Sequence, residues 1–317
     1  MKILITGSNG LLGQKIVYAL LKLKAGQKPI GNCEWPEISD LTIIATSRGE
    51  NRLIEKSGYS YQALDISEKA QVGAVVEKYK PDVIINTAAM TNVDACEVQK
   101  EECWKANVVA VQNFIDVLST RNSAPSFIHL STDFVFDGEA GPYKEDDKPN
   151  PLSYYASSKY ESEKILQGSK INWAILRTII VYGIVDNMSR SNIVLWAKDA
   201  LEKGQKINVV DDQFRAPTLA EDLAQACILA AYKGAKGIYH TSGKDIMSIL
   251  DLVYTVADFW KLDKSIVNPI KSATLNQAAK RPARTGFILD KAIKVLGYTP
   301  HSFSEGLQIL SEQLKMK

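Results

Sequence analysis

Tyr155 and Lys159 stand four residues apart in YASSK, at the start of a stretch with helical composition. Four residues is close to one helical turn, so the two side chains share a face. A phenol titrates near ~10, and a neighbouring ammonium favours the phenolate, which predicts a Tyr155 lowered toward the working pH. Just upstream, the apolar run Phe127–Leu130 reads as a strand ending at Ser131, Thr132 and Asp133. A hydroxyl at that strand end can hydrogen-bond the same oxygen as the phenol. Thr132, Tyr155 and Lys159 together suit proton transfer at a carbonyl or alcohol oxygen while a hydride moves at the adjoining carbon. The Tyr/Lys pair alone is also common on exposed helix surfaces, so its chemical meaning depends on the elements that position it.

The first of those elements is at the N-terminus. Lys2 to Thr6 is an apolar strand, GSNGLLG follows with glycines at 7, 10 and 13, and a helical pattern runs through Ile16, Val17, Leu20 and Leu21. Strand, glycine turn and helix form the context of a dinucleotide site. Gly7 makes the turn, Gly10 lets a pyrophosphate approach the backbone, and Gly13 lets helix and strand pack closely. A second strand, Leu41 to Thr46, ends without the acidic residue that usually meets the adenosine ribose, and offers Ser47 and Arg48 instead. A hydroxyl and a guanidinium suit a 2′-phosphate, so NADP(H) is favoured over NAD, the alternative being an exposed arginine after a strand. Asp65, after a third strand, either accepts from the adenine amino group or caps the helix starting near Glu68.

The strand Asp82 to Asn86 leads into TAAMTNVDACE, where Ala88 and Ala89 leave room for a cofactor across the sheet edge. A long helix is expected next. Asn107 lies in its apolar stretch, either hydrogen-bonded structurally or helping to position the lysine. Residues 25–40 have no period and read as an inserted surface loop. After Trp173 to Thr178, a further strand, the chain offers helices at 191–203, 219–232, 248–260, 289–296 and 304–316, with strands at 207–210 and 237–243. Repeated β/α alternation followed by mostly helical pieces predicts a Rossmann-type α/β fold, a doubly wound parallel sheet with a smaller, mostly helical C-terminal substrate lobe. The expected division is 1–180 for the NADP-binding domain, with 208–243 returning to it, and 181–207 plus 244–317 for the substrate lobe.

At 317 residues the chain can bury a substantial core, and its formal net charge of +2 with no long basic run gives no reason to expect nucleic acid. No apolar run is long enough to span a bilayer, and MKILITG reads as a buried strand rather than a signal peptide, so no membrane partner and a cytoplasmic location are expected. Cys33, Cys96, Cys103 and Cys227 include no Cys-x-x-Cys, and His129, His240 and His301 are scattered. No metal site is expected, and these seven residues read as packing or surface. Cys96 and Cys103, if both helical, would lie about 10 Å apart along the axis, too far for a disulfide.

Taken together these residues resemble the extended short-chain dehydrogenase/reductase superfamily, with GSNGLLG as its glycine signature and YASSK as its Tyr-x-x-x-Lys. Within it, NTAAMTNVDACE, HLSTDFVFDG, PLSYYASSKYESE, LRTIIVYG, VVDDQFRAPT, GIYH and KRPARTGFILD resemble the dTDP-4-dehydrorhamnose reductases, in order over nearly the whole chain. The resemblance implies NADPH-dependent hydride delivery to C4 of a nucleotide-linked 4-keto-6-deoxy sugar. Tyr155 would donate the proton, Thr132 would orient the oxygen, and Lys159 would also hold the nicotinamide ribose. It implies cofactor contacts from Gly7, Asn9, Gly10, Leu11, Leu12, Gly13, Ser47, Arg48, Asp65, Ile66, Ala88, Ala89, Met90 and Asn107. Thr91, Val93, Asp133, Phe134 and Ile180 would face the substrate, and Arg281 would clamp its nucleotide end, unless it is a solvated loop cation. A homodimer is a further implication.

The sequence departs from the family pattern at four places. Met90 stands where an aromatic usually follows the Ala-Ala pair, Ile180 where Trp is usual, Phe134 where Tyr is usual, and Arg215 where Gly is usual. The first three surround the sugar pocket, so the chemistry is better specified than the sugar. Two other readings remain: a sugar-nucleotide epimerase that retains NAD, and a non-catalytic NADP-binding regulatory protein like the regulatory subunit of methionine adenosyltransferase. A serine hydrolase built on His129, Ser131 and Asp133 lacks a Gly-x-Ser-x-Gly elbow.

Overall fold

The computed structural model of the chain describes residues 1–38, 40–121, 125–187 and 191–315. Its first strand, β1 (Lys2–Thr6), is buried from Ile3 onward and runs through the glycine turn into α1 (Leu11–Lys24). The strands β2 (Thr42–Ser47) and β3 (Ser60–Ala63) follow, then α2 (Lys69–Tyr79) and β4 (Val83–Asn86). The expected long helix is broken. It forms α3 (Val93–Val98), α4 (Lys100–Trp104), a wider π turn at Lys105–Val109, and α5 (Ala110–Ser119). After β5 (Ser126–Thr132) a loop leads to α6 (Tyr154–Gln167), capped by the Ser153 hydroxyl accepting from Ala156 N, and then to β6 (Trp173–Thr178).

Seven strands pair in parallel in the order Gly237–His240, β6, β5, β4, β1, β2, β3. The chain winds outward from β1 through β3, then restarts at β4 on the other side of β1. That reversal leaves a crevice at the carboxyl ends of β1 and β4, where ligands bind in such sheets. Strand alternation divides the apolar residues between two layers. Ile3 and Ile5 meet α1 and the helix Ala220–Tyr232, while Leu4, Ile44 and Ile84 meet α2 and α5. The helix Ala220–Tyr232 is buried at all but its last position; most of it is Ala-rich and apolar, and its buried Glu221 and Asp222 are paired with Lys15 and His301.

A second core gathers Tyr182, Val194, Ala197, Leu252, Val256 and Leu307 from Val181–Tyr182 and the helices Ile193–Glu202, Ile249–Trp260 and Phe303–Lys315. Ile207–Val210 pairs with Val267–Ile270 on this second core, so the return to the large sheet is made by the helix at 220 and the strand at 237 rather than from 208 onward. The helix expected over 289–296 is a single π turn, Ala292–Leu296. Residues 25–38 contain no helix or strand, and Cys33, Trp35 and Ile38 pack against the first core. Among the described residues no helix is long and apolar enough to cross a membrane.

Candidate active site

A cleft of about 770 Å³ lies at the switch point of the sheet. It is lined by Gly7 and Gly10 from the first turn, Ser47 and Arg48 after β2, Asp65 and Ile66 after β3, and Ala88, Ala89, Met90 and Thr91 after β4. Gly7 has φ of +67°, and a Cβ there would stand 2.8 Å from Ala88 N. A Cβ on Gly13 would stand 2.3 Å from Gly7 O, which is how the third glycine lets helix meet turn. No side chain caps the N-terminus of α1, so its first N–H groups remain for an anion.

Other expected cofactor residues have different work. Asn9 donates to Glu50 O and accepts from Arg52 N, tying the glycine turn to the segment after β2. Leu12 packs against the first core, Leu11 abuts Gly183, and Gly13 is a packing position; none of these four lines the cleft. Asp65 accepts from Ser67 N and Oγ just ahead of α2; against the opposing effect of burial, these hydrogen bonds first and the Arg48 charge second hold its carboxyl below the usual range. Asn107 accepts from Met90 N at 2.8 Å and donates to Met90 O at 3.1 Å and Ser158 Oγ at 3.0 Å. It fastens the segment after β4 to α6, and its hydrogen bonds go to Met90, Cys103 and Ser158 rather than to Lys159. Sequence reasoning missed Lys105 and Gln99 in the cleft wall; the broken helix is what turns them there.

Met90 joins this cleft to the chemical groups, because it packs against a buried cluster of Tyr155, Cys96 and Cys103, together with Val93 and Phe134. Tyr155 lies within hydrogen-bonding reach of Thr132, and its ring meets Phe134 edge-on at 6.2 Å between centroids. Its ionisation runs opposite to expectation. Burial pushes the phenol up, the hydrogen bond with Thr132 pulls it back, and the Asp133 charge adds to the rise. Desolvation of a buried phenolate outweighs the lysine one turn away. Burial also pushes Lys159 down to about 8, against the opposing pull of Glu163.

Thr132 Oγ1 donates to Asp133 Oδ1 at 3.1 Å and accepts from Phe134 N at 3.2 Å. Asp133 is thus an internal support rather than a free substrate contact. Its other oxygen accepts from Thr285 and lies 3.8 Å from Arg215 Nε. Arg215, at the position of the usual glycine, is buried over the Phe134 ring and donates to Phe214 O and Pro282 O. Arg281 is not a free phosphate clamp: Nη2 and Nη1 grip Asp94 at 2.7 and 3.2 Å. Ile180 is half-buried with φ of +25°, and its carbonyl accepts from Thr218 N.

The separation expected for Cys96 and Cys103 does not hold. Gln99, at φ −102° and ψ 61°, breaks the helix between them, and the two buried thiols come within hydrogen-bonding reach beside Tyr155. Among the described residues no group of three His, Cys, Asp or Glu side chains is placed to hold a metal.

A glycine-floored cleft at the switch point of a parallel sheet, with Thr132 and Tyr155 close together beyond its β4 wall and Lys159 one turn further along α6, defines an extended short-chain dehydrogenase/reductase. The RmlD substrate binding domain matches residues 1–316, and the chain belongs to that family. It is 30% identical to the dTDP-4-dehydrorhamnose reductase of Aggregatibacter actinomycetemcomitans, over 97% of both chains. It is also 31% identical to methionine adenosyltransferase 2 subunit beta of Xenopus tropicalis, over 88% of this chain and 78% of that one. A solved dTDP-4-dehydrorhamnose reductase from Clostridium acetobutylicum superposes with a TM-score of 0.81 at 27% identity, covering 99% of this chain and 100% of the other.

Proposed function

We propose that this protein is an NADPH-dependent reductase of a nucleotide-linked 4-keto-6-deoxy sugar of the dTDP-4-dehydrorhamnose type, acting in the cytoplasm. The observation that carries the reading is the buried Tyr155 side chain at the start of α6, packed with Met90 of the glycine-floored cleft and close to Thr132. A phenol that holds its proton suits donation to a developing alkoxide, the reducing direction.

The cleft fits a dinucleotide, since Cβ atoms at Gly7 and Gly10 would intrude on the turn and the α1 N–H groups are uncapped. Gly7, Gly10 and the start of α1 would hold the pyrophosphate, Ser47 and Arg48 the 2′-phosphate, and Asp65 and Ile66 the adenine end. When bound, NADPH supplies the hydride. Tyr155 gives its proton to the sugar oxygen, Thr132 orients that oxygen, and Lys159 steadies the charge left on the phenol. Thr91, Val93, Phe134 and Ile180 would border the sugar. Arg281, held by Asp94, would meet the nucleotide phosphates only as an ion pair that opens.

A panel of 4-keto sugar nucleotides assayed for NADPH oxidation, with NADH for comparison, tests this reading. Turnover of at least one, faster with NADPH, is the expected result. The likeness to the methionine adenosyltransferase subunit supports a second reading, a cofactor-binding regulatory protein. NADPH binding with no turnover of any keto sugar favours it.

A further inference from the structure

His129 lies on β5, 1% exposed, opposite Asn86 of β4. Its hydrogen-bond partners fix where its proton sits. Ala88 N donates to Thr6 Oγ1, so the Thr6 hydroxyl turns its own proton to Asn86 Oδ1, at 2.6 Å. Asn86 therefore presents Nδ2 to His129 Nδ1, at 3.1 Å, and that ring nitrogen accepts. The neutral imidazole then carries its proton on Nε2. Two atoms face it there: Ser162 Oγ at 3.0 Å, whose own proton goes to Lys159 O, and Lys159 Nζ at 3.2 Å.

An N–H aimed at an ammonium is repulsive, whereas the same N–H aimed at an amine lone pair is a hydrogen bond. We propose that His129 is a positioning residue for Lys159: its Nε2 proton, held through Thr6 and Asn86, is aimed at Nζ and favours the neutral amine. The other groups bearing on Lys159 are Glu163 one turn along α6, which Arg177 of β6 already grips at 2.7 Å, and Cys103 of α4. Both favour the charged form; burial opposes it, and the His129 N–H is the polar neighbour that acts on the same side as burial. The low basicity of both His129 and Lys159 in their buried places agrees with one proton fewer at this contact. This inference rests on the reductase reading for its kinetic consequence and on the hydrogen bonds alone for its structural one.

The test reads both nitrogens in the full-length protein. With ¹⁵N-labelled histidine, the imidazole resonances of His129 should show the proton on Nε2. With ¹³C-labelled lysine, the titration midpoint of Lys159 should respond to two substitutions in opposite directions. His129→Leu removes the opposing N–H and should raise the midpoint by about one pH unit. Ser162→Ala removes the oxygen that shares the N–H, leaves it wholly to Nζ, and should lower the midpoint. The alkaline limb of kcat for keto-sugar reduction should move with the midpoint in each variant. A proton on Nδ1 in the unsubstituted protein, or a midpoint that falls in His129→Leu, overturns the inference. If no keto sugar is reduced while the tautomer and both midpoint shifts are as stated, the reductase reading falls and the His129 assignment stands.

Discussion

Two side chains at the cleft separate chemistry from binding. Tyr155→Phe keeps the ring against Phe134 and removes the proton donor, so kcat should fall roughly 100- to 10,000-fold while the NADPH dissociation constant stays nearly unchanged. Stopped-flow binding and steady-state rates on the same preparation check it, and unchanged activity would return the site to a regulatory role. Arg48 is exposed at the rim, where a guanidinium can meet a 2′-phosphate. Arg48→Ala should weaken NADPH by about tenfold or more and leave NADH unaltered, read as paired dissociation constants. Equal loss for both cofactors would mean that Arg48 does not read the phosphate.

Elements show why some of the site could be read in the sequence and some could not. The glycine turn was legible because its positions answer to backbone geometry within seven residues: a positive φ at Gly7 and no room for a Cβ at Gly13. Gly13→Ala should push α1 off the turn, lowering the melting temperature and weakening NADPH together, as overpacking of backbone against backbone does. A shift in only one of the two would separate helix packing from cofactor binding. The placement of Thr132 at a strand end and of Tyr155 and Lys159 in the first turns of a helix was legible for a similar reason, since each rests on short-range spacing. The segment after β4 was not. Apolar periodicity gave one long helix, whereas Gln99 and the π turn at Lys105–Val109 rotate successive faces, bringing Cys103 beside Cys96 and Asn107 onto Met90. Nor did the sequence expose the ionisation of Tyr155, because burial by Phe134, Cys96 and Cys103 depends on segments far apart in the chain. The ion pair of Arg281 was hidden for the same reason: its partner Asp94 is 187 residues away.

Across the whole molecule, buried charge and buried imidazole set how stability responds to acid. Arg177 and Glu163 pair in the core, and Arg177 Nη1 also faces His240 Nε2 at 3.4 Å. Burial and that guanidinium push His240 down to about 3, and His129 is lowered too. An unfolded chain takes up these protons first, so the contribution is whole above the ordinary histidine range and is lost as pH falls toward 3. His301 works in reverse, being raised by its hydrogen bond to Asp222, but it is only half-buried. The melting temperature should therefore drop between pH 7 and pH 5, and His240→Gln, which can still accept from Arg177, should flatten the slope. An equally steep slope in that variant would assign the acid sensitivity elsewhere. The join between the two cores carries a last consequence. At Ile180 a β-branched residue takes a positive φ, and the turn is held there by the hydrogen bond from Thr218 and by apolar neighbours on both sides. If the proposed reductase reading holds, a different substituent at this turn would reshape the sugar's berth while the main-chain route through the seam stays as it is.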